Sequence, residues 1–350
     1  MKKGWVFLIV LAVALAIAIP SFAGGGKPEG KQVVIGKVPI TLEANFHQPL
    51  VKIEEQYAKE KYGAAVKVID GQFKADVALK AVEDFIAQKV DGIMLHTLDP
   101  AVLDQAYNAA KAAGIPLLTF YNVPNTKNHP HIHIWEQDTS KEMGVRAAKK
   151  WKEFYPNKPI KVGMIEYQNV PWAMETRSIP FIAGVMSVDP KAEVVARYDG
   201  GGSHEKALAA AQDMLQAHPE VNIIYGTNAD HALAALSAFE TAGRGKAVDG
   251  KPLTEIFVGT DATEAELLKL FNPSSSFKVT QGLQPYAVAV AEVDTMMKMI
   301  KKELAWDKWT EVLTYDKVFT YWDNKVEDGT KFLKEQYFQE ADLAKELGQK

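Results

Sequence analysis

Polar and aromatic residues recur at or just beyond the ends of apolar, β-rich runs in this sequence. They are Asn45, Phe46, His47, Tyr121, Asn122, Trp172, Asn228 and Asp261. Amides, a carboxylate, an imidazole and flat rings together suit a small polar ligand that has one apolar face. Helix capping explains Asn228 and Asp261 when each is taken alone, and packing explains Tyr121 and Trp172. Their recurrence at strand ends is the observation that favours a shared binding crevice.

Strand-like and helix-like patterns, which must position these residues, alternate almost without a break. Apolar, β-rich runs, such as 92–98 and 160–167, are typical of strands that are covered on both faces. Helical patterns rich in Ala, Glu, Lys and Leu lie between them, as at 101–113 and 205–217. The alternation predicts right-handed βαβ units and parallel sheets, which is an α/β fold.

The composition excludes several kinds of site and partner. The 350 residues include no cysteine, so disulfides, thiolate catalysis and cysteine-bound zinc are excluded. The formal charge is −4 at pH 7 and there is no long basic run, which argues against nucleic acid as a partner. The glycine triplet 200–202 lacks the Lys and Ser/Thr of a phosphate-binding loop. His129, His131 and His133 alternate, but two imidazoles on one face make a weak metal site, so no metal is predicted.

The first 23 residues have the pattern of a cleaved secretory signal peptide. Lys2 and Lys3 precede an unbroken apolar run over 5–19, and Ala23 ends a cleavage site of small residues. The apolar run is short for a membrane span, although an uncleaved anchor is the alternative. The glycine-rich segment 24–31 then predicts a flexible leader. We therefore expect a periplasmic or otherwise extracytoplasmic protein.

Several segments, in a fixed order and spacing, carry a likeness to a known family. They are 81–93 (AVEDFIAQKVDGI) with 99–101 (DPA), 113–119 (AGIPLLT), 217–219 (AHP), 227–236 (TNADHALAAL) and 258–261 (VGTD). From Val33 to about Leu304 the chain resembles the periplasmic sugar-binding proteins of the ribose- and galactose-binding kind, which serve ABC transporters. The resemblance implies two Rossmann-like lobes with parallel sheets, joined by three crossovers, that close on one ligand. It implies a binding protein and not an enzyme, with no cofactor.

The resemblance also implies roles for individual residues. With the strand-end residues above, the predicted ligand-binding set is Asn45, Phe46, His47, Tyr121, Asn122, Trp172, Arg177, Asn228, Asp261 and Gln284. Stricter spacing would place the family's arginine on Glu175, and its glutamine falls anywhere in 281–284. Members that bind pentoses or hexoses usually carry Asp-Arg where this chain has Tyr121-Asn122. The glycine triplet also stands near a usual aromatic position, so a sugar other than ribose, a cyclic polyol or a ligand with a ring base is open.

The family also implies the domain organisation. The expected bounds are 32–135 with 285–312 for the N-terminal lobe, and 136–284 with 313–345 for the C-terminal lobe. The alternating run 309–320 predicts one strand that completes the C-terminal lobe. The run 330–347 predicts an amphipathic helix that docks outside that lobe.

The expected function is capture of a small sugar-like ligand by hinge closure, followed by delivery to an ABC permease at the membrane. The protein is expected to act as a monomer. One alternative is a binding protein for a nucleoside or other ring-bearing solute, and another is a sensing receptor subunit. A glycoside-processing enzyme, with two of Glu166, Glu175, Asp230 and Asp261 as acid and base, is a further alternative. The sequence has no nucleophile elbow, which argues against an enzyme.

Overall fold

The first of two six-stranded sheets forms from apolar runs in the N-terminal part of the chain, with one strand from the C-terminal part. Its strands are β1 (Val34–Val38), β2 (Ala65–Val68), β3 (Gly92–Leu95), β4 (Leu117–Phe120), β5 (Pro130–Trp135) and β13 (Thr310–Tyr315). The spatial order is β13-β5-β4-β3-β1-β2. Every pair is parallel, so the strands end at the same edge.

The second sheet repeats this architecture with a different edge strand. Its strands are β6 (Lys161–Glu166), β7 (Glu193–Asp199), β8 (Ile223–Gly226), β11 (Ile256–Thr260), β12 (Phe277–Gly282) and β14 (Lys317–Thr320). The order is β14-β12-β11-β8-β6-β7, and only the edge pair β12–β14 is antiparallel. A short hairpin, β9 (Ala247–Val248) and β10 (Lys251–Pro252), precedes β11. The predicted α/β fold with parallel sheets is confirmed.

Helices lie between most consecutive strands, and their apolar faces pack on the sheets. With the first sheet belong α1 (His47–Tyr62), α2 (Ala75–Ala87), α3 (Pro100–Ala112) and α10 (Pro285–Ile300). With the second belong α4 (Gln137–Phe154), α6 (Ile179–Val188), α7 (His204–Ala217), α8 (Ala229–Thr241) and α9 (Glu264–Phe271). The short α5 (Pro171–Ala173) and a π-helix (Met174–Ser178) connect β6 to α6. The chain ends with α11 (Val326–Tyr337) and α12 (Leu343–Glu346).

This computed structural model describes residues 31–43, 46–201 and 203–349. The predicted signal peptide, nearly all of the leader and the predicted site residue Asn45 lie outside the described residues. Among the helices described, none is both long enough and apolar enough to cross a membrane.

The C-terminal segment corrects two predictions. The run 330–347, predicted as one helix, belongs to α11 and α12, because α11 ends where Phe338 adopts a φ of +52°. The run 309–320 forms two strands instead of one, because β13 pairs with β5 of the first sheet and β14 pairs with β12 of the second. Asp316 alone separates the two strands. Apolar and aromatic residues continue on both sides of Asp316, so the pattern gives no sign of the break. The lobe boundary expected between 312 and 313 therefore falls inside β13.

Three short segments carry the chain between the sheets, and hydrogen bonds join two of them. Glu136 lies at the first crossover, Gln284 at the second and Asp316 at the third. The side-chain amide of Gln284 donates to the carbonyl of Tyr315, and that of Gln281 donates to the Asp316 carboxylate. These bonds tie the second crossover to the third.

Candidate functional site

A cavity of about 580 Å³, a volume that includes space open to solvent, has a wall that comes from segments following strands of both sheets. The lining residues are Ile40, Phe46, His47, Phe73, His96, Leu98, Tyr121, Tyr167, Val170, Trp172, Ala173, Arg177, Asn228, Asp261 and Leu283. Tyr121 follows β4 of the first sheet, whereas Asn228 and Asp261 follow β8 and β11 of the second. This is the crevice beyond the carboxyl ends of parallel strands where α/β proteins bind ligands.

The structure brings most of the predicted site residues together at this cavity. Those on its wall are Phe46, His47, Tyr121, Trp172, Arg177, Asn228 and Asp261. Asn122 is buried but is not on the wall, and its Oδ1 lies 3.2 Å from His96 Nε2. Gln284 is not on the wall either, since its side chain bonds the third crossover. Of the two candidates for the family's arginine position, Arg177 reaches the cavity and Glu175 is exposed.

The side of the cavity that belongs to the first sheet is aromatic and electrically neutral. Burial, helped by the positive charges of Lys37 and Arg177, lowers the pKa of His47 to about 3. Burial also places the pKa of His96 well below its ordinary value. Both rings are therefore neutral at physiological pH, and each can donate or accept a hydrogen bond. No described residue bonds His96 Nδ1.

A buried network of hydrogen bonds joins Arg177 to Glu136 and to Tyr121, which lies on the side of the cavity that belongs to the first sheet. Arg177 Nη2 lies 2.8 Å from Glu136 Oε1, and its Nε donates to Oε2 at 3.0 Å. The guanidinium also donates to the Tyr121 hydroxyl oxygen and to the Thr227 carbonyl, while the Tyr121 hydroxyl donates to Glu136. Arg177 lies in the π-helix, a distortion that is frequent at functional sites. The network neutralises Arg177 and occupies most of its donors.

The polar wall on the second sheet is built from Asn228 and Asp261. Asn228 Oδ1 caps α8 by accepting from the His231 amide at 2.7 Å, and its Nδ2 donates to the Tyr167 hydroxyl at 2.8 Å. Asp261 Oδ2 accepts from the Ala229 amide at 3.0 Å. Burial raises the pKa of Asp261 to about 7, although Arg177 opposes the shift. Asn228 therefore both caps α8 and lies on the cavity wall.

The sequence analysis missed several wall residues, including two that directly follow strands. His96 directly follows β3, and Tyr167 directly follows β6. The sequence pattern does not single out His96 or Tyr167, because each belongs to a run, 92–98 or 160–167, that is typical of a strand over its whole length. Gly200 and Gly201 do not line the cavity, and a side chain at Gly200 would instead meet the His231 ring. The lack of side chains at these two positions therefore does not enlarge the cavity. Gly202 lies outside the described residues.

The three alternating histidines do not line the cavity. Thr119 Oγ1 lies 3.1 Å from His129 Nε2 and 2.9 Å from His131 Nδ1. His133 Nδ1 lies 2.9 Å from Glu311 on β13. In the described ranges no group of three or more His, Cys, Asp or Glu side chains is arranged to hold a metal ion.

A protein-family model described as "Periplasmic binding protein domain" matches residues 35–304. The chain belongs to this family. The matched range agrees with the stretch from Val33 to about Leu304 that carries the resemblance in the sequence, so that prediction is confirmed. As a periplasmic binding protein, the chain is placed in a family of solute-binding proteins rather than of enzymes.

Curated relatives of this periplasmic binding protein include two ribose import binding proteins. The one from Bacillus subtilis (strain 168) is 27% identical over 254 residues, which cover 70% of this chain and 79% of the relative. The one from Escherichia coli (strain K12) is 26% identical over 303 residues, which cover 84% of this chain and 92% of the relative. The similarity therefore extends over most of both chains.

Solved structures confirm the fold of this periplasmic binding protein. A galactofuranose binding protein superposes with a TM-score of 0.71 at 19% identity, covering 87% of this chain and 98% of that one. A Caulobacter myo-inositol binding protein, bound to myo-inositol, superposes with a TM-score of 0.71 at 18% identity, covering 88% and 99%. The two sheets and their crossovers thus form the architecture of known periplasmic binding proteins.

Proposed function

We propose that this protein captures a small sugar or polyol outside the cytoplasm and delivers it to an ABC permease at the membrane. The observation that carries the proposal is one cavity whose wall comes from strand ends of both sheets. Ribose import by the relatives and myo-inositol in a structural neighbour support the ligand class. The signal-peptide pattern of residues 1–23 supports the extracytoplasmic location. The protein acts as a monomer in this proposal.

Capture in this proposal occurs by closure of two lobes about the three crossovers. Asp316 lies between β13 and β14, which supports a third crossover at this residue. The N-terminal lobe then comprises 32–135 with 285–315, and the C-terminal lobe comprises 136–284 with the chain after Asp316. In the closed site, leaving a buried polar group unpaired costs roughly 1–3 kcal/mol, which makes the site selective for a matching ligand.

Binding without catalysis fits the charges on the wall. Asp261 is the single carboxyl group among the described lining residues. Hydrolysis of a glycoside usually needs two carboxyl groups across the scissile bond. Of the other candidate acids, Glu166 is paired with Arg197 at 2.7 Å and Glu175 is exposed. The wall therefore supplies a ligand contact and not an acid and base pair.

A specific observation favours a second candidate, which is a ring-bearing solute with few hydroxyl groups. Most of the wall is apolar or aromatic, and Tyr121 and Asn228 already hold hydrogen bonds within the protein. The indole N–H of Trp172 has no partner among the described residues. Such a wall offers ring faces and few free polar atoms.

A thermal-shift screen of the chain from Gly24 onwards tests these proposals. Sugars, polyols, nucleosides and small aromatic solutes form the panel. A ligand at a hundred times its dissociation constant should add about 2.7 kcal/mol to the free energy of unfolding. Asp261→Ala should abolish the response, whereas Asp213→Ala, at an exposed position on α7, should retain it. A sugar or polyol response supports the first candidate and a ring-solute response supports the second. No response to any compound, or turnover of a glycoside, contradicts both.

A further inference from the structure

Asp261, the carboxyl group of the cavity wall, has an unusual backbone conformation. Its φ is +111° and that of the next residue, Ala262, is +48°. Residues other than glycine rarely adopt a positive φ, so surrounding contacts must hold this segment in place. Asp261 also follows β11 directly, so any shift of its backbone moves its carboxylate relative to the cavity.

Three hydrogen bonds hold Asp261, and they come from three different elements. Its amide donates to the carbonyl of Gln281 at 2.7 Å, and its Oδ2 accepts from the Ala229 amide at 3.0 Å. Its carbonyl oxygen accepts from the hydroxyl of Tyr337 at 2.9 Å. The first two partners lie on the second sheet and at the start of α8, whereas Tyr337 is the last residue of α11.

Tyr337 lies beyond the range 35–304 that the family model matches. Its side chain is buried, and its ring packs at 5.9 Å from that of Phe332 on the same helix. Burial and the nearby carboxyl groups of Asp261 and Glu266 raise the pKa of Tyr337 well above its ordinary value. The phenol therefore remains protonated and able to donate.

The next residue links this contact to the helix that packs on the first sheet. Phe338 has a φ of +52°, which ends α11, and its ring lies 5.3 Å from that of Tyr286. Tyr286 belongs to α10, which follows the second crossover and packs on the first sheet. Tyr337 thus contacts the backbone of Asp261 on the cavity wall, and Phe338 contacts α10, the helix that packs on the first sheet.

We propose that Tyr337 is a positioning residue for the binding site, whose hydroxyl fixes the strained backbone of Asp261 and thereby the direction of its carboxylate. The proposal rests on the proposed function in one respect, namely that Asp261 contacts the ligand. The C-terminal extension is then part of the binding machinery and not only a cover for the outside of the second sheet.

Tyr337→Phe removes the hydroxyl and keeps the ring. Tyr155→Phe is the matched control, because the Tyr155 hydroxyl also donates to a backbone carbonyl, that of Pro252 at 2.6 Å, and Tyr155 does not line the cavity. The ligand affinity of Tyr337→Phe should fall about three- to tenfold, the value of one neutral hydrogen bond. The affinity of Tyr155→Phe should stay within about twofold of wild type.

A second measurement needs no ligand. Native-state hydrogen exchange of the Ala229 amide reports the bond to Asp261 Oδ2, because that amide is its donor. This exchange should be faster in Tyr337→Phe than in both wild type and Tyr155→Phe. Equal Ala229 exchange in the two variants would overturn the proposal, whether or not a ligand is known. If wild type binds nothing while Tyr337→Phe still speeds the exchange, the contact by which Tyr337 fixes Asp261 stands, whereas the proposed function and the ligand contact of Asp261 fail.

Discussion

Glu136 and Arg177 form a buried ion pair that joins the first crossover to the wall of the cavity. The Glu136 side chain is fully buried and that of Arg177 is 5% exposed, with 2.8 Å between Oε1 and Nη2. Glu136 lies between β5 of the first sheet and α4, whereas Arg177 lies in the π-helix beside the second sheet. Glu136 thus neutralises Arg177 on the cavity wall. Glu136 itself lies in one of the segments about which we propose that the lobes move.

Glu136→Gln should strongly destabilise the protein and weaken ligand binding. The substitution leaves the guanidinium buried without its counter-charge, which typically costs about 3–5 kcal/mol. Urea denaturation measures the change in the free energy of unfolding. Glu142→Gln is the control, because Glu142 pairs with Arg146 at 2.7 Å on an exposed face, where such a pair contributes about 1 kcal/mol or less. Equal losses in the two variants would show that the buried pair has no special role.

Asp261 should make the stability of the ligand-free protein fall as the pH rises. Its pKa is about 7 in the folded protein against an ordinary value of 3.8. Since the folded state binds the proton more tightly, this contribution is fully present below about pH 4 and is lost as the pH rises through 7. Each unit by which the pKa is raised corresponds to about 1.4 kcal/mol.

Asp261→Asn removes that titration. Its free energy of unfolding, relative to wild type, should therefore increase between pH 4 and pH 8. Asp213→Asn, on the exposed face of α7, should leave the pH dependence of wild type unchanged. Urea denaturation at pH 4, 6 and 8 measures the difference, and a constant offset between Asp261→Asn and wild type would contradict the prediction.

The positions of polar and aromatic residues at strand ends predict part of the cavity wall, and the failures of this prediction have physical causes. Tyr121, Asn228 and Asp261 are predictable because strand ends interrupt apolar runs with residues too polar for a core, and Phe46 because it stands in a polar and aromatic loop after the first strand. His96 was missed because a neutral, buried imidazole continues an apolar run without a visible break.

Long-range pairing explains the other differences between sequence and structure. The partner of Arg177 is Glu136, 41 residues earlier in the chain, and no local pattern links the two. Gln284 was predicted as a ligand contact, but its amide instead meets the Tyr315 carbonyl at a crossover that the pattern did not reveal. The α/β alternation is local and was predictable, whereas contacts between distant segments depend on the assembled fold.

Trp172 should report ligand binding through its fluorescence. Its ring centroid lies 4.1 Å from that of Tyr121, and its indole N–H has no partner in the described part of the chain. A bound ligand should change its emission. Trp172→Phe should abolish most of this change and, through loss of the N–H, weaken binding about three- to tenfold. Trp322→Phe is the control, since Trp322 donates to the Gly250 carbonyl away from the cavity wall. Loss of the signal in the Trp322 variant instead would contradict the assignment.

Lys37 should be essential for stability because it holds two buried carboxyl groups together. Its Nζ lies 2.6 Å from Glu54 on α1 and 2.8 Å from Glu292 on α10, and all three side chains are at most 1% exposed. Lys37→Met leaves the two carboxyl groups facing each other without a cation. We expect a loss of about 3–5 kcal/mol in the free energy of unfolding at pH 7.

The pH dependence and a rescue variant test the cause of that loss. Burial and the neighbouring Glu292 carboxyl already raise the pKa of Glu54 well above its ordinary value, and removal of Lys37 raises it further. The loss should therefore be smaller at pH 5 than at pH 8, because protonation of Glu54 stabilises the folded state. Combining Lys37→Met with Glu54→Leu and Glu292→Leu should restore most of the stability. Lys80→Met, which breaks an exposed pair with Asp84, should change the free energy by about 0.5 kcal/mol or less. A triple variant as unstable as Lys37→Met alone would mean that packing, and not charge, explains the loss.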